Sequence, residues 1–133
     1  MFTFRRKTVY ETCKLFREME FPVRWGCSAR LDCIDRELID EMAASGMEGI
    51  YIGIETGSPR MQKLINKNLS LEKAEKTVKF LLDQDIRVAL FFMYGFPEET
   101  EEDLRKTLDL IFYFYEPLYK IFLYYQYILL FLS

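Results

Sequence analysis

Histidine is missing from all 133 residues of this chain. Its absence excludes an imidazole general base, a histidine metal ligand and any Ser-His or Cys-His nucleophile pair built within these residues. Cysteine is scarce. Cys13, Cys27 and Cys33 are separated by thirteen and five intervening residues, spacings that fit neither a zinc site nor a haem attachment. Their odd number, with no secretory signal, predicts reduced thiols and a cytoplasmic protein. No G-x-x-x-x-G-K-[ST] and no G-x-G-x-x-G occurs, so neither common phosphate-binding loop is present. A basic stripe is lacking too: the net charge is −3, with basic and acidic residues interspersed. No nucleic-acid partner is expected from that pattern. The aromatic end, "IFYFYEPLYKIFLYYQYILLFLS", has an uninterrupted apolar part only after Gln126. That part falls short of the ~18 residues of a bilayer span, so no membrane is expected.

What is present reads as one globular domain, 50% hydrophobic and 29% charged. Helix-period and strand-like segments alternate. "RKTVYETCKLFREMEF" has apolar residues at Val9, Cys13 and Phe16, a helical stripe that places Cys13 in the core, and Pro22 stops it. Val23 to Ala29 is a short strand. Asp35 is an N-cap for "RELIDEMAAS", with Leu38, Ile39, Met42 and Ala43 on one face and Gly46 as its stop. "GIYIGIE" is a continuous apolar strand, expected to be buried on both faces. Ser58-Pro59 opens a short helix to about Ile65. Ser70 caps a longer one with Leu71, Ala74, Val78, Leu81 and Leu82 on one face. "IRVALFFMYG" is a strand. Thr100 and Asp103 resemble a capping box for "EEDLRKTLDLIFYF", whose stripe is Leu104, Leu108 and Ile111. Pro117 interrupts, and "KIFLYYQYILL" is the last strand candidate. Helices between apolar strands predict βαβ units and a parallel sheet. Four parallel strands do not close a barrel, so the chain is either a small open α/β domain or part of a larger barrel. "MFTFRRK" reads as the end of a strand whose beginning is missing.

In parallel α/β folds ligands bind at the carboxyl ends of the strands. Here those ends are Cys27 to Asp32, Glu55 to Ser58 and Tyr94 to Glu98. Glu55 closes "YIGIE"; it suits ribose hydroxyls or an ammonium, or it serves the next helix N-terminus and Arg30. Gly57 permits close approach to a ligand or a simple tight turn. "GFPEET", with Gly95 and Pro97, offers backbone groups to an adenine or a phosphate, or is a well-capped turn. Arg30 either clamps a carboxylate or pairs with Asp32 or Glu55. Lys67, twelve residues beyond Glu55, reads in isolation as a solvated lysine.

Four motifs, "WGCSARLD", "GIETGS", the following "INK" and "GFPEETEED", occur in this order and spacing. With them the chain resembles the radical SAM superfamily, and within it the group linked to a cobalamin-binding domain. The resemblance covers roughly Phe2 to Ile111. It implies a partial (β/α) barrel of the radical SAM type, with about four parallel strands and outer helices, in a single domain over 1–133 whose aromatic tail, 112–133, diverges. It implies reductive cleavage of S-adenosylmethionine at a [4Fe–4S] cluster held by a CxxxCxxC loop. That loop is not in this sequence, and Cys27 and Cys33 do not match it, so no metal ligand and no catalytic residue are assigned. The resemblance also implies a cofactor wall: Glu55 toward the ribose, Lys67 toward the methionine carboxylate, Arg30 facing the cofactor, Gly95 and Pro97 beside the adenine, and Gly57 in the same motif as Glu55. The expectation is a partial S-adenosylmethionine site, inactive by itself. Its rival is a nucleoside-binding or interaction module, pairing with a chain that supplies the missing barrel strands, or a degenerate remnant.

Overall fold

The structure, a computed structural model, describes residue 3 and residues 5–67, 69–121 and 128–132. The elements follow in the order α1 (Arg6–Glu18), β1 (Trp25–Ala29), a 3-10 turn (Leu31–Cys33), α2 (Arg36–Ala44), β2 (Met47–Glu55), α3 (Pro59–Leu64), α4 (Leu71–Asp83), β3 (Arg87–Tyr94), α5 (Glu101–Ile121) and β4 (Ile128–Leu132). The strands form one sheet in the order β1-β2-β3-β4. β1 pairs parallel with β2, from Trp25 opposite Met47 to Ala29 opposite Ile52, with an irregularity after Trp25. β3 pairs parallel with β4, from Leu90 opposite Ile128 to Tyr94 opposite Leu132. This is the α/β architecture that the alternation of periods predicts: parallel neighbours require a crossover, and helices supply it.

Two compact units divide the chain: Met1–Ile52 with Lys76–Val88, and Gly53–Glu75 with Ala89–Ser133. In the first, Val9 and Cys13 of α1, Leu38, Ile39 and Met42 of α2, and Ile50 and Ile52 of β2 are all buried. Asp35 accepts from the amide of Leu38 at 2.9 Å, so α2 starts where its N-cap residue sits. Phe16 meets Trp25 edge to face at 5.6 Å. Arg6 reaches Asp35 at 2.6 Å and Glu37 at 3.0 Å, exposed pairs that contribute little on their own. Two residues beyond the end of α4 stands a left-handed residue, Asp85, at φ 58°. The amides of Asp85 and Ile86 then close on the carbonyls of Leu82 and Leu81, a Schellman cap that turns the chain into β3.

In the second unit Ile54, Met61, Ala74, Leu90, Phe92 and Phe114 are buried. Ser70 caps α4, accepting from the amide of Lys73 at 3.2 Å.

Several sequence expectations shift. β1 begins at Trp25 rather than Val23, because the Trp25 amide is the one that pairs, with the carbonyl of Gly46 at 3.1 Å. β2 starts earlier, at Met47, and it is not buried on both faces: Ile50, Ile52 and Ile54 are buried while Tyr51 is 46% exposed. α5 does not stop before Pro117 but runs to Ile121. A proline inside a helix forgoes its own N–H bond and crowds the carbonyl four residues before it, yet the 21-residue helix continues through it. The buried face of α5 is Asp103, Thr107, Ile111 and Phe114, and Leu108 is 40% exposed. That face lies one residue around from the apolar stripe, because Asp103 and Thr107 have partners inside. The last strand is Ile128–Leu132, and the start expected for it at Lys120 belongs to α5. Residues 122–127 of that expectation lie outside the described residues.

Candidate functional site

β2 delivers its last residue, Glu55, into an unusual turn. The backbone of Glu55 has φ 68°, the left-handed region that a non-glycine residue rarely occupies. The amide of Thr56 donates to the carbonyl of Ile54 at 3.0 Å across it. A bond over two residues around a positive φ is the rarer, strained form of γ-turn. Such conformations cost on the order of 1–3 kcal/mol and persist where surrounding contacts over-determine them.

Lys67 arrives opposite Glu55 by a second left-handed residue. Two residues beyond the end of α3 stands Asn66, with φ 54°. The amide of Asn66 closes on the Lys63 carbonyl at 3.1 Å, and that of Lys67 on the Gln62 carbonyl at 2.9 Å. This Schellman cap folds the chain back on itself. The Lys67 ammonium then donates to the Glu55 carboxylate at 2.6 Å, with the two side chains only 18% and 20% exposed. Gly53 lies beneath the pair; a β-carbon there would run into the Glu55 carboxylate and come within 3.1 Å of the Lys67 nitrogen.

A polar network anchors the turn to α5. The amide of Gly57 donates to the Thr107 hydroxyl at 3.0 Å, and the hydroxyls of Thr56 and Thr107 are 3.0 Å apart. A β-carbon on Gly57 would fall within 2.9 Å of the α5 backbone at Thr107, so glycine is what lets helix and turn meet. Ser58 caps α3 and its hydroxyl donates to Asp103. Asp103 also accepts from Arg60 at 2.5 Å and from the hydroxyl and amide of Thr100 at 2.6 and 3.0 Å. The Arg60 guanidinium first, then the Ser58 and Thr100 hydroxyls, hold the Asp103 carboxyl far below the usual carboxylate range. Arg60 further donates to the Glu98 carbonyl at 2.5 Å, tying in the loop after β3. Within that loop Gly95 has φ 86°, and its amide donates to the Glu99 carboxylate at 2.7 Å. Pro97 is exposed beside it.

The second unit therefore holds Glu55, Gly57, Lys67, Gly95 and Pro97. Arg30 belongs to the first unit, where it makes a two-pronged bond to Asp32 at 2.7 and 2.9 Å, and Asp32 is lowered by that guanidinium. Arg60, Gln62 and Thr107 belong to no motif in the sequence, and Asp103 stands there only as half of a capping box. Their one local signal was polarity at positions 103 and 107, a helical spacing, on a helix with an apolar stripe elsewhere.

The family model of the radical SAM superfamily matches residues 2–111, and the chain belongs to that superfamily. A cytidylyl-2-hydroxyethylphosphonate methyltransferase of Streptomyces wedmorensis is 34% identical over 106 residues, covering 74% of this chain and 20% of that protein. An uncharacterized methyltransferase of Pyrococcus horikoshii is 25% identical over 107 residues, covering 80% of this chain and 23% of its own length. The chain thus spans less than a quarter of either relative. Among solved structures, the radical S-adenosylmethionine methyltransferase TsrM of Kitasatospora setae, with cobalamin and a [4Fe-4S] cluster bound, aligns at TM-score 0.69 and 18% identity over 94% of this chain and 24% of that one. That likeness shows the fold: a (β/α) barrel of the radical SAM type, of which this α/β chain matches a part.

The cluster of that family does not fit the residues of this chain. Cys13 is fully buried and its thiol is raised by that burial, and burial pushes the Cys27 thiol up to about 11, the opposite of what a thiolate ligand requires. The Cys33 sulfur lies 3.5 Å from Asp32. No group of three or more His, Cys, Asp or Glu side chains among the described residues is arranged to hold a metal ion. No helix among them is long and apolar enough to cross a membrane.

Proposed function

We propose that this chain forms the nucleoside-facing wall of a radical SAM catalytic domain and does not cleave S-adenosylmethionine by itself. In this reading Glu55 accepts hydrogen bonds from the ribose hydroxyls and Lys67 pairs with the methionine carboxylate. The loop of Gly95 and Pro97 lies beside the adenine, and Gly57 shapes the turn that carries Glu55; Arg30, at the end of β1 in the first unit, is proposed separately as a polar side chain for the cofactor. The observation that carries the reading is the half-buried Glu55–Lys67 pair at the carboxyl end of β2. A carboxylate held on a strand-end turn and an ammonium held on a helix cap complement a ligand that offers hydroxyls and a carboxylate. Reductive cleavage needs an electron from a cluster, and these residues do not build one.

Calorimetric titration of S-adenosylmethionine tests the binding half. Saturable binding is expected, weakened about tenfold or more, or ~1.4 kcal/mol, by Glu55→Gln and by Lys67→Met. No binding by the native chain sinks the reading. Anaerobic reconstitution with iron and sulfide tests the other half: no [4Fe–4S] absorption and no 5′-deoxyadenosine are expected.

A second reading, an interaction module, is favoured by the place of β1 at the end of the strand order among the described residues. An end strand presents unpaired backbone groups on which another chain's strand can build. A stable oligomer on size-exclusion chromatography that ignores the nucleoside supports this reading over the first.

A further inference from the structure

Gln62 has no role in the cofactor wall just described, yet it makes two short contacts there. It sits on α3 and is 2% exposed. Its side-chain nitrogen donates to the carbonyl of Ile54 at 2.8 Å and to the carbonyl of Thr56 at 2.7 Å. Those carbonyls flank Glu55 on either side. Both amide hydrogens are used, and exchanging the amide's nitrogen and oxygen would set oxygen against two carbonyl oxygens, so the orientation is dictated. The amide oxygen is buried and meets no donor among the described residues. A buried acceptor without a partner is a cost. As a core filler, an apolar side chain of similar length would serve this position better. The amide is therefore explained by what its nitrogen holds.

What it holds is the strained turn. The Thr56–Ile54 bond alone does not favour φ 68° at a glutamate, since that conformation is intrinsically disfavoured. Thr107 fixes Thr56 and Gly57, the residues after the turn. Gln62 is the described side chain that bonds to both sides of it.

We propose that Gln62 is a positioning residue: its amide clamps the Ile54 and Thr56 carbonyls, holds Glu55 in the left-handed conformation, and so keeps the Glu55 carboxylate against Lys67. That the turn so held serves a nucleoside rests on the function proposed above; the clamp itself does not.

A double-mutant cycle tests the clamp by urea unfolding, with no ligand present. Glycine adopts positive φ freely, so Glu55→Gly removes the strain that the clamp restrains. Gln62→Met is expected to lower the unfolding midpoint in the native background, and by a clearly different amount when combined with Glu55→Gly, because only with Glu55 does loss of the clamp release backbone strain and the Glu55–Lys67 pair. Equal shifts in the two backgrounds overturn the proposal. If Gln62→Met alone does not fold, a folded double variant supports the clamp and an unfolded one overturns it. Titration of S-adenosylmethionine gives a readout that a purely structural residue would not move. Folded Gln62→Met is expected to bind at least about tenfold more weakly than the native chain, and undiminished affinity overturns the proposal. A native chain that binds no S-adenosylmethionine defeats the functional reading instead, and the midpoint cycle still decides the role of Gln62.

Discussion

Asp103 shows how a single side chain carries a site's geometry. Its carboxylate gathers Arg60, Ser58 and Thr100 and is held well below the ordinary carboxylate value of 3.8. A lowered pKa means that the folded state binds its proton more weakly than the unfolded chain. The stabilisation is complete above about pH 4 and is lost as pH falls toward the lower folded value. Asp103→Asn is therefore expected to lower the urea midpoint at pH 7, and the gap from the native chain to narrow at pH 3. Arg60 is half exposed, so solvent screens part of what that pair contributes to stability. Cys27 makes the opposite case. Burial pushes its thiol up to about 11, so the reactive thiolate is rare at neutral pH. Its alkylation by iodoacetamide, followed by peptide mass mapping, is expected to rise about tenfold per pH unit from 8 to 10. A rate that levels off below pH 9 would contradict that assignment.

Among the elements, α5 departs furthest from its sequence pattern. Its apolar stripe predicted an inward face of Leu104, Leu108 and Ile111, yet Asp103 and Thr107 point inward and Leu108 outward. Periodicity counts apolar residues and is blind to polar residues that have buried partners. The contact that turns the helix, Asp103 to Ser58, joins residues 45 apart, beyond the reach of any local signal. Capping chemistry was legible because it is local: Asp35, Ser58, Ser70 and Thr100 each stand at the helix starts where their side chains suggested. Gly57 tests how closely α5 must approach the turn. Gly57→Ala puts a methyl against the α5 backbone and is expected to cost about 1–3 kcal/mol, read as a lower urea midpoint. An unchanged midpoint would show that the helix yields at no cost.

At the scale of the whole molecule, the alternation of helices and strands was enough to give the α/β class, because a parallel sheet demands it. The site was only partly legible. Glu55 was conspicuous as a charge at the end of an apolar run, and its distance from Lys67 in sequence, twelve residues, gave no hint of contact. Left-handed caps at Asn66 and Asp85 are within the habits of those residue types; a left-handed glutamate is not, and no residue near Glu55 announces it. Its cause lies with Gln62 and, further off, with the residues of α5 that secure the segment following Glu55. That separation has a consequence for how the protein is made. A chain synthesised from its N-terminus presents Glu55 and Lys67 long before Asp103 and Thr107 exist. Until α5 emerges, Ser58 and Thr56 lack their distant partners, and the Gln62 clamp has to hold the turn without the support of α5. Ligand competence should therefore come late in biosynthesis, appearing with α5 rather than with the residues expected to touch the ligand.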